Sequence, residues 1–270
     1  MHSVAFEAVG LTIYWYGILA AVGFLLGFYT SGRRAPREGL TAEAIMNLAP
    51  WIIAGGILGA RILYVISYYS EEFADKPWYE IFLLRRSGLV YYGGLIGASI
   101  STVLYCLKEK LPVWKVADIL APSIALGHIF GRLGCLMTGC CFGRPTEYPW
   151  AIHFPADHPT HGTGVHPSQI YESLLNAGLF TFLIWFYKRK KFHGQIFAVY
   201  LIGYAFLRTF VESFRGDYPD RLKTFGGFLT PAQTVSTAVF ATGIILLWIL
   251  PKFTPNLSTH TPKKPTQSPS

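Results

Sequence analysis

Seven apolar windows, each long enough to cross a hydrocarbon core of about 30 Å, follow one another at about 11–30, 45–67, 88–107, 116–138, 168–187, 195–214 and 230–250. Short polar segments separate them. The pattern predicts an all-α polytopic integral membrane protein with seven transmembrane helices, forming a single domain over 1–253. The first apolar run, Ala8 to Gly32, follows Glu7 without a basic leader or a small-residue cleavage site, so it reads as a retained span. The longest connection, roughly Thr138 to His166, is rich in Pro, His and Gly and carries the apolar piece YPWAIHF. It is expected to form a small ordered cap, about 139–166, between the fourth and fifth spans. Residues 254–270, dominated by Pro, Ser and Thr, read as a disordered tail.

Composition strengthens this picture. A chain that is 51% hydrophobic and 14% charged is excluded from the ordinary soluble class. The net charge of +8 would suggest nucleic acid in a soluble protein, but here Lys and Arg fall in blocks between spans and act as topology signals. Segments after the odd-numbered spans hold thirteen of them and the opposite side seven. By the positive-inside rule the N-terminus is periplasmic, the C-terminus and tail are cytoplasmic, and the cap lies on the outer face. No nucleic-acid partner is expected. Glycine pairs four apart (Gly55 and Gly59, Gly93 and Gly97, Gly127 and Gly131) suit close helix packing, and Tyr14, Trp15, Tyr16, Tyr68, Tyr69, Trp78 and Tyr79 suit interfacial belts.

Packing does not account for Arg61, Asp118, His128, Arg132, Glu172, Arg208 and Glu212, which fall inside or at the rims of apolar windows. His128 and Arg132 are four apart, as are Arg208 and Glu212, so each pair shares a helix face. Two readings stand. Three arginines and three carboxylates can form an interhelical ion-pair network without a ligand. Alternatively, two arginines hold a phosphate diester between planar forks, with Glu212 neutralising one arginine and leaving the other open. A phospholipid is the anion such a site meets most often. Displacing its headgroup also requires a base and donors to the leaving phosphate, for which His128, Glu212, Tyr16 and Tyr92 have suitable chemistry.

Two further motifs have local explanations. In HPSQIYE, His166 to Glu172, Pro167 suits a first helical position, with His166 at the cap and Ser168 and Gln169 satisfying free N–H groups. Cys135, Cys140 and Cys141 do not follow the paired C-x2-C spacing of zinc sites, and adjacent cysteines chelate only with strain. The three are therefore read as small packed side chains, with thiol exchange as the alternative and no metal expected.

The chain resembles the prolipoprotein diacylglyceryl transferases through WYG at 15–17, GARILYV at 59–65, YGGLIG at 92–97, GRLG at 131–134, HPSQIYE at 166–172 and RTFVESFR at 208–215, in that order. The resemblance implies an enzyme of the bacterial inner membrane. Such an enzyme moves the diacylglyceryl group of phosphatidylglycerol to the lipobox cysteine of a preprolipoprotein signal peptide, forming a thioether and releasing glycerol phosphate without a cofactor. By the same resemblance, Arg132 and Arg208 contact phosphatidylglycerol with Gly131, Gly134 and Gly143, and Glu212 and Tyr16 join the functional set. The chain departs from the pattern at Cys135, Thr138 and Cys140, where the family signature has Asn, Asn and Glu, and at Tyr92, where it has a histidine assigned as base. An unperturbed phenol, with a pKa near 10, is a poor base at neutral pH, which directs attention to His128. Other readings are a same-fold paralogue with another lipid or acceptor, a thiol oxidoreductase using Cys140 and Cys141, and a lipid-binding or transport protein.

Overall fold

The computed structural model describes residues 4–8, 11–74, 77–82, 88–216 and 230–254. The tail and several connecting basic residues, Lys76, Arg85, Arg86, Arg221 and Lys223 among them, lie outside the described residues. Two compact units emerge, the described residues of 1–30 with 117–270 and those of 31–116.

In the first unit, β1 (Val4–Ala8) and β2 (Leu11–Tyr14) pair antiparallel and lead into α1 (Trp15–Arg34). The chain is mostly helical, as expected, and this short hairpin is an addition that the hydropathy pattern does not predict. The run Thr12, Ile13 and Tyr14, β-branched and aromatic, favours a strand, so the first helix begins four residues later than the hydropathy window suggests. The first unit continues with α5, which spans Val113–Thr138, then α6 (Ser168–Tyr187), α7 (Gln195–Glu212) and α8 (Pro231–Phe253). Helix α8 opens with a capping box in which Thr230 and Gln233 satisfy each other's backbone N–H groups. The central packing joins Ala121 and Ala125 of α5, Leu179 and Leu183 of α6, and Ile196 and Tyr200 of α7. Helices α1 and α5 approach closely: a Cβ at Gly23 would lie 3.0 Å from the Phe130 Cβ, and the Ser123 hydroxyl donates to Gly27 O at 2.6 Å.

Among the described residues Asp118 pairs with no arginine. Its carboxylate, fully buried, accepts from the Gly194 and Phe197 N–H groups at 2.8 and 3.0 Å and from Lys190 Nζ at 3.1 Å. It thereby caps the start of α7 from the neighbouring helix, satisfying donors that a helix N-terminus leaves open.

The cap contains β3 (Ile152–His153) paired with β4 (Gly164–Val165). Leu136 at the end of α5 packs with Phe154 and Val165 beneath it. A backbone bond from Gly143 N to His166 O, 3.0 Å, closes the cap on itself, and one from Arg144 N to Phe214 O, 2.8 Å, ties it to the chain just beyond α7.

The second unit is built on α3 (Ala49–Tyr68) against α4 (Tyr91–Lys108), with a 3-10 turn at Ala35–Glu38 and short α2 (Ala42–Met46) beside them. Gly55, Gly59, Gly93 and Gly97 form the contact. A Cβ at Gly59 would strike Gly93 O and one at Gly97 would strike Gly55 O, so the backbones meet where only hydrogen fits. Arg61 is structural. It donates to Ile81 O at 2.7 Å and Glu80 O at 3.0 Å, tying down the 3-10 segment Trp78–Phe82.

Among the described residues, seven long helices overlap the seven apolar windows, and α6 matches its window at both ends. Six of the helices, among the described residues, are long and apolar enough to cross a membrane. The exception is α4, whose tyrosines, glycines and serines dilute its apolar content.

Candidate functional site

One end of the first unit gathers the N-terminal turns of α1, α6 and α8 and the C-terminal turns of α5 and α7. Arg132 lies six residues before the end of α5, Glu172 four residues into α6 and Arg208 four before the end of α7. At 1.5 Å per residue these groups sit about 6 to 9 Å inside the helix ends. They are shallow, not at mid-span.

Glu172 bridges the two arginines. Its Oε1 lies 3.0 Å from an Arg132 terminal nitrogen and its Oε2 3.5 Å from Arg208. Arg208 also pairs with Glu212 at 2.9 Å, and Glu212 in turn meets Arg215 at 3.9 Å and accepts from the Thr230 hydroxyl at 2.9 Å. The expectation that Glu212 would neutralise one arginine and leave the other open is corrected. Both arginines are paired, because α6 brings Glu172, one of the three carboxylates of the network reading, between them. Arg132 has no other carboxylate partner among the described residues, and its side chain is 17% exposed against 4% for Glu172. It is therefore the open corner of the cluster.

His128 stands one turn before Arg132 on α5, with its ring stacked on Tyr204 of α7, centroids 5.1 Å apart. Its Nδ1 is buried and has no hydrogen-bond partner among the described residues. A Cβ at Gly131 would meet nothing within 4 Å, so this face of the helix is open beside Arg132. Gly134 serves close packing, since a Cβ there would lie 2.9 Å from the Tyr16 ring. Gly143 is wedged between His166 and Phe214 O, 2.6 and 2.8 Å from where a Cβ would be, so the seam of the cap accounts for it. Tyr16, in the first turn of α1, is half exposed. Tyr92 belongs to the second unit, where it is exposed with its ring edge-on to Tyr91.

The HPSQIYE segment starts a helix as expected, but Pro167 occupies the cap position and no side chain caps the N–H groups. Ser168 and Gln169, both buried, donate instead to the backbone carbonyls of Cys141 and Cys140 at 2.6 and 2.7 Å. His166 lies with Nδ1 3.1 Å from the Tyr171 hydroxyl.

The cysteines also depart from expectation. Cys106 is buried in the second unit, but Cys140 is exposed and Cys135 and Cys141 are half-buried. The Sγ atoms of Cys135, Cys140 and Cys141 all lie within 4.8 Å of one another. Sequence spacing concealed this because the turn depends on Gly139 at φ 75° and Cys141 at φ 65°, left-handed conformations that fold the chain back on the end of α5. Hydrogen bonds from Cys135 and Cys141 hold the Cys140 thiol below its ordinary range.

A sequence model of the family described as Prolipoprotein diacylglyceryl transferase matches residues 3–249. Among curated relatives, the phosphatidylglycerol–prolipoprotein diacylglyceryl transferase of Finegoldia magna is 39% identical, covering 91% of this chain and 94% of its own. The protein of the same name from Clostridium tetani is 36% identical, covering 91% and 96%. That from Synechococcus elongatus is 34% identical, covering 88% and 84%.

Proposed function

From the premise that this chain belongs to the prolipoprotein diacylglyceryl transferase family, we propose that it moves the diacylglyceryl group of phosphatidylglycerol to the lipobox cysteine of a prolipoprotein. The observation that carries the site assignment is the Arg132–Glu172–Arg208 bridge, a pair of guanidiniums sharing one carboxylate just inside the helix ends and open at Arg132. A phosphate diester entering at Arg132 is met by a planar fork that carboxylate sharing leaves partly unsatisfied. Arg208, held by Glu212, supplies the second positive group.

In the reaction the acceptor sulfur attacks the glycerol methylene carbon, the carbon–oxygen bond to phosphate breaks, and the electron pair leaves on the phosphate oxygen. Two guanidiniums facing that oxygen stabilise the charge as it develops. The thiol proton has to leave, and His128, with an unpartnered buried Nδ1 one turn from Arg132, is the acceptor or relay. Tyr16 packs against Gly134 on the same turn of α5 as Cys135, and the open face beside Gly131 gives the lipid backbone room.

Several apolar helices make this a multi-pass membrane protein. The reading adds α4 as a seventh span in a bacterial inner membrane, with the N-terminus and cap periplasmic. The charge asymmetry of the connecting segments supports that orientation.

The test is a single-turnover assay with phosphatidylglycerol and a lipobox peptide. The wild type adds a diacylglyceryl mass to the peptide cysteine, and R132A and R208A each lose about 10²- to 10³-fold, the range for removing one charge-stabilising donor. Headgroup release without peptide modification, or full activity in both variants, refutes the reading.

A further inference from the structure

Three thiols converge at the mouth of the site, and the surrounding structure works to keep them there. Adjacent residues in an extended chain point their side chains to opposite faces. Cys140 and Cys141 escape this because Cys141 adopts φ 65°, a costly conformation for a residue with a Cβ. Two buried side chains of α6 hold that pose, Gln169 on the Cys140 carbonyl and Ser168 on the Cys141 carbonyl. Cys135 completes the group from the last turn of α5, three residues beyond Arg132 and on a neighbouring face. Packing alone gives no reason for a strained turn that gathers three sulfurs within 4.8 Å, one of them exposed.

We propose that Cys135, Cys140 and Cys141 bind a zinc ion as three thiolates, and that the cysteine thiol of the acceptor peptide enters as the fourth ligand. Zinc with thiolates is tetrahedral, with Zn–S near 2.3 Å, which places sulfurs about 3.8 Å apart. The present separations need to close by about 1 Å at most to reach that spacing. Among the described residues no fourth His, Cys, Asp or Glu joins the cluster. Three protein ligands with one open position is the arrangement of reactive zinc sites, whereas structural sites are closed by four.

The chemistry fits the proposed transfer, on which this inference rests. A thiol that coordinates zinc gives up its proton, which passes to His128 or to water. The zinc-held sulfur then forms the bond to the glycerol carbon, the carbon–oxygen bond breaks, and glycerol phosphate departs with the electron pair. A thioether is a weaker zinc ligand than a thiolate, so the product leaves and the three-thiolate site is restored. Nothing is oxidised or reduced. Four thiolates on one Zn2+ carry a net charge of −2, and Arg132 on the adjacent turn offsets part of it while holding the phosphate.

The experiment uses the full-length protein purified in detergent under reducing conditions, stripped with a chelator and given Zn2+ or Co2+ alone. One zinc per chain is expected after gel filtration. Each of C135S, C140S and C141S should weaken binding by more than the 10- to 100-fold typical of losing an outer-shell partner, whereas C106S in the other unit should bind as wild type. With Co2+ in place of zinc, a lipobox peptide should shift the thiolate absorption and a Cys→Ser peptide should not. Tryptophan melting identifies any variant that fails to fold, and C→A variants at the same positions then replace it.

Absence of zinc binding, a disulfide among the three cysteines in the reduced preparation, or a tight three-coordinate copper(I) site with no peptide response overturns the proposal. So does zinc binding with no spectral response to peptide, which makes the metal structural. If the C135S/C140S/C141S variant transfers diacylglyceryl at the wild-type rate, the transfer reading survives and this inference falls. If zinc and peptide bind as described but wild type transfers nothing, the transfer reading falls instead.

Discussion

Glu172→Gln separates a ligand site from a self-contained ion-pair network. The substitution keeps the shape of a side chain that is 4% exposed while removing the charge that bridges Arg132 at 3.0 Å and Arg208 at 3.5 Å. Removing one partner of a buried pair costs about 3–5 kcal/mol because the other charge stays buried. Arg208 retains Glu212 at 2.9 Å, and Arg132 is 17% exposed, so the loss belongs at the lower end, about 3 kcal/mol. At roughly 2–4 °C per kcal/mol for a chain of this size, that is a fall of about 6 to 12 °C. The assay is tryptophan-monitored melting in nanodiscs of phosphatidylcholine and of phosphatidylglycerol. If the arginines form an anion clamp, the anionic lipid replaces the lost carboxylate and restores at least half of the fall. An equal loss in both bilayers refutes the clamp and leaves the network as its own purpose.

Other outcomes follow from the same structure. H128A should lower the rate of transfer by about 10²- to 10⁴-fold, the usual worth of a positioned base, with Y92F near wild type in the same single-turnover assay. Full activity in H128A together with loss in Y92F rejects that assignment. Gly59→Val should destabilise the second unit by at least the 1–3 kcal/mol of an overpacked core, because its Cβ meets Gly93 O and backbone cannot rotate away. Hydrogen exchange confined to 49–68 and 91–108 would register it, and unchanged protection in both helices would contradict the packing argument. D118N should loosen the start of α7, since an amide cannot accept as a carboxylate does from Gly194, Phe197 and Lys190. A loss of about 2–4 kcal/mol is expected, with little change in transfer rate per folded molecule.

Much of this was legible in the order of apolar and polar residues. The span at 168–187 is bounded by Pro167 and by the basic run from Lys188, and the helix stops at both signals. The i,i+4 pairings of His128 with Arg132 and Arg208 with Glu212 follow from helix geometry alone. What a single helix cannot reveal is its neighbour. Glu172 is visible as a misplaced charge, but its position between two arginines depends on how α5, α6 and α7 pack, and Asp118 looks like a network member until the fold brings it Lys190 and two backbone N–H groups 72, 76 and 79 residues away. The cysteine cluster was hidden for a different reason. Spacing rules assume ordinary backbone, and two left-handed residues, Gly139 and Cys141, undo that assumption.

The shallow placement of the arginines has a consequence for how a lipid is handled. Only about 6 to 9 Å separates them from the helix ends, a depth comparable to the headgroup layer that flanks the hydrocarbon core. In the proposed transfer, a phospholipid held at that depth keeps its tails among its neighbours, so it need not be extracted from the leaflet. After cleavage the two products sort themselves by solubility. The small charged fragment washes out into water, and the diacylated peptide is retained by the bilayer, so phase partition draws the reaction forward without an energy source of its own.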